Sequence, residues 1–212
     1  MLLCFLNQIL NFLENKIIPI YIIDGVAPDE KQDTINYRNL KKKKLDLKIK
    51  ELENENVNVN DKNISEKIDK LKKMSIKIFP EEIKLFTEML KIINIPFIRA
   101  NNEADLLITT LYKNRLIDAC LSEDMDLLAF GCGNVFKFKS SNIIKYNLDH
   151  ILDKLNLSYE EFVELCILFG CDYLKQNLKN TPQEIYNLYK TNSNLNEFIQ
   201  NESYIEKFYN VK

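Results

Sequence analysis

Ile20 to Ile23 read Ile-Tyr-Ile-Ile and stop abruptly at Asp24-Gly25. Four consecutive apolar positions without alternation describe a strand covered on both faces, the form found in parallel sheets flanked by helices. Two later segments read as further short strands. "IPFIRA" (95–100) leads into Glu103 and Asp105, and "IDACLS" (117–122) leads into Asp124 and Asp126. Between them the apolar period becomes helical. Pro80 opens "EEIKLFTEMLKII", and "NNEADLLITTLYKN" (101–114) starts a helix with Asn102 as its N-cap and acids in its first turn. Strands alternating with helices specify an α/β fold with a mainly parallel central sheet.

The rest of the chain fits around that core. "MLLCFLNQILNFLENK" lacks a basic leader region and a small-residue cleavage site, and Asn7, Gln8, Asn11 and Glu14 interrupt it. This argues against a signal peptide or membrane span. Leu3, Leu6, Leu10 and Leu13 there mark one face of a core-packed helix. Residues 29 to about 52 are helical and basic, "NENVNVNDKN" (54–63) reads as a mobile loop, and 64–78 as a second amphipathic helix. "NVFKF" and "NIIKY" are expected to pair across a short turn. "SYEEFVELCILFG" starts with a capping box, Ser158 with Glu161, and ends at Gly170. "TPQEIYNLYK" and "NLNEFIQ" are helical in pattern.

Composition narrows the chemistry. There is one histidine, His150, and five cysteines form no CxxC pair. That set does not make a zinc site, so a bound metal would be a hard cation on carboxylates. Four of the cysteines stand in apolar contexts and read as buried thiols of a reducing compartment. The net charge of −2 is not that of a generally basic phosphate binder, so any nucleic-acid contact must come from local charge.

The acids form the most informative set. Asp24, Glu103, Asp105, Asp124 and Asp126 follow strands or open helices just after them, and Asp172 follows the helix ending at Gly170. Each alone is what a turn or a helix N-terminus carries. Together they are placed to meet in the crevice at the carboxyl ends of the strands. Carboxylates crowded in a partly buried crevice repel strongly unless cations neutralise them. Two magnesium ions roughly 4 Å apart meet that need, and such a pair clamps the attacking and leaving oxygens of a phosphodiester. From Lys31 to Lys50 eight positive residues, Lys31, Arg38, Lys41, Lys42, Lys43, Lys44, Lys48 and Lys50, face only Asp33 and Asp46. Lys31 and Arg38 are seven apart, on one helix face, within reach of a single phosphate. The run Lys41 to Lys44 is equally a solvated charged face.

"YIIDGVAPDEKQDTINYR", "NNEADLL", "LSEDMDLLAFG" and "ELCILFGCDYL" resemble, in order and spacing, the XPG and flap-endonuclease family of structure-specific 5′ nucleases. The exonuclease-1 branch looks especially similar around "LLAFGC" and "CILFGCDYL". The resemblance covers roughly residues 15–200, weakly over 45–78. It implies a PIN-like 5′ nuclease fold, with a nuclease core at 1–28 and 79–150, a helical arch at 29–78 and a C-terminal helical DNA-binding region at 151–212. It implies metal binding by Asp24, Glu103, Asp105, Asp124, Asp126 and Asp172, with two Mg²⁺ ions for which Mn²⁺ can substitute. By the same resemblance Lys31 and Arg38 are the basic pair that draws the scissile phosphate onto the metals; Lys41, Lys42, Lys43 and Lys44 are candidate DNA contacts by their charge alone.

Two departures from the family pattern stand out. The family's first strand, with a further metal-binding aspartate, has no counterpart here, so an upstream segment is expected. In "KQNLKNTPQEI" Lys179 and Thr181 stand where the family has glycines, which weakens close backbone approach to duplex phosphate. The expected function is magnesium-dependent cleavage of DNA bearing 5′ flaps, nicks or ends, in replication, repair or recombination. A sliding clamp or other replication protein is an expected partner, the chain a monomer, and its place intracellular, in the nucleus or at sites of DNA replication, with no membrane association. The rival is a catalytically inactive DNA-binding remnant of the same family. A haloacid-dehalogenase-like phosphotransferase built on "DMD" ranks lower, because its nucleophile should follow the first strand in a motif with Thr. Tyr37 and Tyr173 adjoin motif residues and are candidates for base stacking or for core packing.

Overall fold

The computed structural model describes residues 2–59, 62–76, 78–139, 142–174 and 180–191. These fall into two compact units, Met1–Ile23 with Gln32–Arg99 and Asp24–Lys31 with Ala100–Lys212.

The first unit contains α1 (Leu2–Glu14), β1 (Tyr21–Ile23), α2 (Gln32–Val59), α3 (Lys62–Met74), α4 (Pro80–Ile92) and β2 (Phe97–Arg99). β1 and β2 pair in parallel, with Tyr21 opposite Phe97 and Ile23 opposite Arg99. Its core is built on Ile9, Leu90 and Ile95, with Tyr21, Phe86, Met89 and Phe97 packed against them. The Phe5 ring sits 4.6 Å from that of Phe86. The Tyr21 hydroxyl is buried there without a hydrogen-bond partner.

The expected inner face of α1 is not the one used. Leu3, Leu10 and Leu13 are exposed, while Ile9 is buried and Leu2, Phe5, Leu6 and Phe12 are half-buried. Apolar residues occupy most positions of this helix, so periodicity alone does not choose a face. The face used is the one that sets Ile9 against Leu90 and Ile95 and brings the Phe5 ring to that of Phe86. β1 likewise is half-buried along its length, with Ile20 exposed just before it, rather than covered on both faces.

The expected loop at 54–63 is largely helix. α2 runs on to Val59 and α3 begins at Lys62. Asn and Val cost only about half a kcal/mol each relative to Ala, and an existing helix gains one bond for each residue it adds. Tertiary contacts fix the result. Lys42 Nζ donates to the Ile76 carbonyl at 3.1 Å, Ser75 Oγ donates to Asp46, and Lys72 pairs with Glu53 at 2.7 Å. One residue number rises as its partner falls, so α2 and α3 form an antiparallel pair in which Ile49 and Ile68 are buried.

The second unit contains α5 (Ala104–Lys113), β3 (Cys120–Leu121), α6 (Asp126–Ala129), β4 (Asn134–Lys139), β5 (Asn142–Asn147), α7 (Leu148–Leu155), α8 (Tyr159–Phe169) and α9 (Pro182–Thr191). β3 runs parallel to β4, and β4 pairs antiparallel with β5, as the two short apolar segments predict. The architecture is α/β, with helices flanking small sheets.

One core gathers Cys120, Leu127, Leu128, Cys132, Val135, Leu148 and Phe162. A second, under α8 and α9, gathers Leu165, Ile167, Leu168, Leu174 and Ile185. α8 has the predicted capping box, Ser158 N to Glu161 at 2.7 Å and Glu161 N to Ser158 Oγ at 3.2 Å. It stops at Gly170, whose φ of 95° favours glycine. Thr181 caps α9. Its amide donates to Glu184 at 2.7 Å, and its Oγ1 accepts from Glu184 N at 3.4 Å. Lys179 and the segment "NLNEFIQ" lie outside the described residues.

Of the cysteines, Cys120 and Cys132 are buried, Cys166 and Cys171 half-buried, and Cys4 exposed. Among the described residues no helix is long and apolar enough to cross a membrane.

Candidate active site

All six predicted acids belong to the second unit, and so does Lys31. Asp24 begins a turn that is bonded to the segment just before α5. Gly25 N donates to the Asn102 carbonyl at 2.7 Å, and Val26 N to that of Asn101 at 3.2 Å. A side chain at residue 25 would put Cβ 2.1 Å from the Ala100 carbonyl oxygen, so this approach requires glycine.

Asp24 Oδ1 then accepts from Ala104 N at 2.8 Å, satisfying an otherwise unpaired donor in the first turn of α5. This corrects the expectation that Asn102 caps that helix. Glu103 is the boundary residue, with no side-chain cap bond of its own, and the acceptor comes from eighty residues earlier in the chain. A local pattern cannot display a cap of that kind.

Glu103 and Asp172 share the ammonium of Lys31. Lys31 Nζ donates to Glu103 Oε1 and lies 2.9 Å from Asp172 Oδ2. The three side chains are only 11–19% exposed, so screening by water is limited. Burial pulls the Lys31 pKa down, but hydrogen bonds and charge from Glu103 and Asp172 outweigh it and hold the group above the ordinary lysine range. Lys31 therefore stays a cation.

Tyr173 closes the arrangement. Its hydroxyl donates to Glu103 Oε2, and its ring centroid is 5.8 Å from Lys31 Nζ. Burial and then this hydrogen bond raise its pKa. Adjacency to Asp172 made Tyr173 a candidate for stacking or packing; its bond to Glu103 was not legible.

Asp105 is pushed up to about 6, first by burial and then by the charges of Asp124, Asp24 and Glu103, with Lys31 opposing. Three neighbouring carboxylates thus act on Asp105. Asp124 also orders its own loop, accepting from Asp126 N at 3.0 Å at the start of α6. Asp126 is exposed, and its charge helps raise the half-buried Cys166 thiol to about 12, after the larger effect of burial.

Arg38 and Lys41 to Lys44 stand on α2 in the first unit. Lys41 Nζ lies 4.6 Å from the Tyr37 ring centroid, and Tyr37 is 47% exposed, so Tyr37 is not a core residue.

A donor set made only of carboxylates fits a hard divalent cation. The raised Asp105 pKa shows a cluster that carries its charge at a cost. Among the described residues, however, no three acidic, histidine or cysteine side chains converge on one point as ligands. Glu103 and Asp172 instead close on the ammonium of Lys31.

The XPG I-region family model matches residues 94–172, the span carrying every predicted acid except Asp24. A flap endonuclease 1 from Enterocytozoon bieneusi is 32% identical over 170 residues, covering 77% of this chain and 46% of the relative. The chain belongs to the XPG and flap-endonuclease family. It spans about half the length of the curated relatives it matches. The catalytic core of Rad2 in complex with DNA substrate superposes with a TM-score of 0.68 at 24% identity, over 92% of this chain and 54% of that one. Flap endonuclease-1 from Methanococcus jannaschii superposes at 0.65 and 23% identity, over 95% and 64%. The fold is the 5′ nuclease fold of these neighbours.

Proposed function

We propose that this chain is the nuclease part of a magnesium-dependent, structure-specific 5′ nuclease that hydrolyses DNA phosphodiesters at flaps, nicks or ends. The observation that supports this reading is the pair Glu103 and Asp172 sharing the ammonium of Lys31, with the carboxyl of Asp105 pushed up by burial and by neighbouring acids. Family membership and the names of its relatives supply the substrate class.

Asp24, Glu103, Asp105, Asp124, Asp126 and Asp172 are the residues that would hold two Mg²⁺ ions, with Mn²⁺ an acceptable substitute. When bound, such a pair supplies charge stabilisation to the attacking water and to the departing oxygen. The carboxylates act as ligands, and none is a nucleophile.

Lys31 remains protonated, so its contribution is a fixed positive charge for a phosphate oxygen and not proton transfer. Arg38, in the arch at residues 29–78, is the second basic residue of the proposed phosphate-drawing pair. Lys41 to Lys44 attract the DNA backbone without regard to sequence. The nuclease core at 1–28 and 79–150 and the C-terminal helical region at 151–212 complete the proposed division of labour. In the full protein we place this activity in replication, repair or recombination inside the cell, in the nucleus or at replication sites. It would act as a monomer, with a sliding clamp or other replication protein as partner.

The test is cleavage of a 5′-labelled flap oligonucleotide by the full-length protein, with Mg²⁺, with Mn²⁺ and with EDTA. Cutting near the junction that requires either metal supports the proposal. DNA binding without cleavage under every condition would favour the inactive remnant.

A further inference from the structure

The loop bearing Asp124 is anchored from β4. Ser122 N donates to the Phe136 carbonyl at 3.0 Å, and Asp124 N donates to Ser122 Oγ at 3.0 Å. The next residue on β4 adds a side-chain tether. Lys137 Nζ donates to the Glu123 carbonyl at 2.7 Å and lies 3.4 Å from the Glu123 carboxylate.

These two contacts differ in weight. The Glu123 side chain is 68% exposed, and an ion pair so open to water contributes little. The carbonyl contact is charge-assisted and falls on the peptide joining Glu123 to Asp124. Because that peptide is planar, fixing its oxygen also fixes the direction in which the Asp124 backbone leaves it.

We propose that Lys137 is a positioning residue for Asp124, holding the Glu123–Asp124 peptide so that the Asp124 carboxylate is presented to the metal site. The inference rests on the reading of Asp124 as a metal-holding acid. Lys137 touches neither that carboxylate's oxygens nor substrate in this role. It acts through the backbone.

The experiment compares wild type with Lys137→Met, Lys137→Arg and Glu123→Gln in the full-length protein. Two readouts are needed: amide hydrogen exchange of residues 122–127 in EDTA, and Mn²⁺ binding followed by the electron paramagnetic resonance of free Mn²⁺. Lys137→Met should speed exchange in the loop while the β4–β5 amides keep their protection. It should also weaken Mn²⁺ binding about tenfold, the lower end for losing an outer support of a metal ligand. Lys137→Arg should recover most of both, and Glu123→Gln should change neither. The proposal is overturned if Lys137→Met exchanges and binds like wild type, or if Glu123→Gln reproduces its effect. Wild type that binds no Mn²⁺ would sink the reading of the acids. In that case the exchange data still decide whether Lys137 holds the loop.

Discussion

The acids of the second unit and the lysines of α2 are both charged clusters, but they are held very differently. Asp24 is tied to Ala104 N, Glu103 to Lys31 and Tyr173, Asp172 to Lys31, and Asp124 to the amide of Asp126. The α2 lysines ride a 28-residue helix, with Lys41, Lys43 and Lys44 exposed. Holding like charges together costs free energy, and that cost is tolerated where geometry matters. Spreading charge along an exposed helix costs little and gives attraction without geometry. On the proposed function, the contrast separates a site for chemistry from a surface for affinity.

The sharpest way to break that contrast is Asp124→Ala with Asp126→Ala. Cleavage of a flap substrate should fall below detection, while DNA binding stays level or tightens, because two repelling charges have gone. A folded double variant that cuts at the parent rate would remove these residues from the metal site. Next in size is Lys31→Ala. Turnover should drop roughly 10²–10³-fold, the scale for losing one preorganised donor, with a much smaller change in DNA affinity. Arg38→Ala should act with the same sign. Single-turnover rates against equilibrium binding measure the split, and equal losses in both would make Lys31 part of a general basic patch.

How much of this was legible depended on whether the signal was local. The capping box at Ser158 and Glu161, the stop at Gly170 and the β4–β5 pair each need only a few neighbouring residues, and all are present. Six acids stand out as candidate ligands because four separate motifs carry them. What joins them could not be read. The cap on α5 comes from Asp24, and the Tyr173 hydroxyl reaches Glu103 seventy residues away. α1 shows the opposite failure. Its apolar residues were plain, but their excess hid which face Ile9 would bury. The segment after Glu53 was misjudged because polar composition was weighed above the cheapness of extending a helix already under way.

Asp105 provides a test on the metal-free protein that needs no DNA. Its carboxyl titrates at about 6 when folded against 3.8 as an ordinary group. A raised carboxyl means the folded state prefers the proton. Its favourable contribution is therefore complete below pH 3.8 and is lost as pH rises through about 6. In EDTA, Asp105→Asn should be more stable than wild type at neutral pH and lose that advantage in acid. The group is only half-buried, so solvent screening trims the gain to the order of 1 kcal/mol, or about 2–4 °C in Tm. Adding Mg²⁺ at neutral pH should raise the Tm of wild type more than that of the variant. Melting curves that keep the same offset at every pH would show that neither burial nor the neighbouring carboxylates raise the Asp105 pKa.

The smallest effects belong to α2, and their smallness is itself a prediction. If Lys41 to Lys44 serve only as spread charge, no single one is essential. Each neutralised lysine that contacts a phosphate should lower the slope of log affinity against log salt by about 1. Lys43→Gln and Lys44→Gln should weaken binding of unrelated DNA sequences alike, with turnover at saturating substrate unchanged. Lys42→Gln carries a structural cost the other two do not, because Lys42 also donates to the Ile76 carbonyl just beyond α3. Its loss should lower Tm slightly, while Lys43→Gln and Lys44→Gln leave Tm alone. Fluorescence anisotropy across a salt series, paired with thermal melts, separates the two contributions. A single α2 lysine whose replacement stopped turnover without moving affinity would erase the distinction between helix and acid site, because that lysine would be doing what Lys31 is proposed to do.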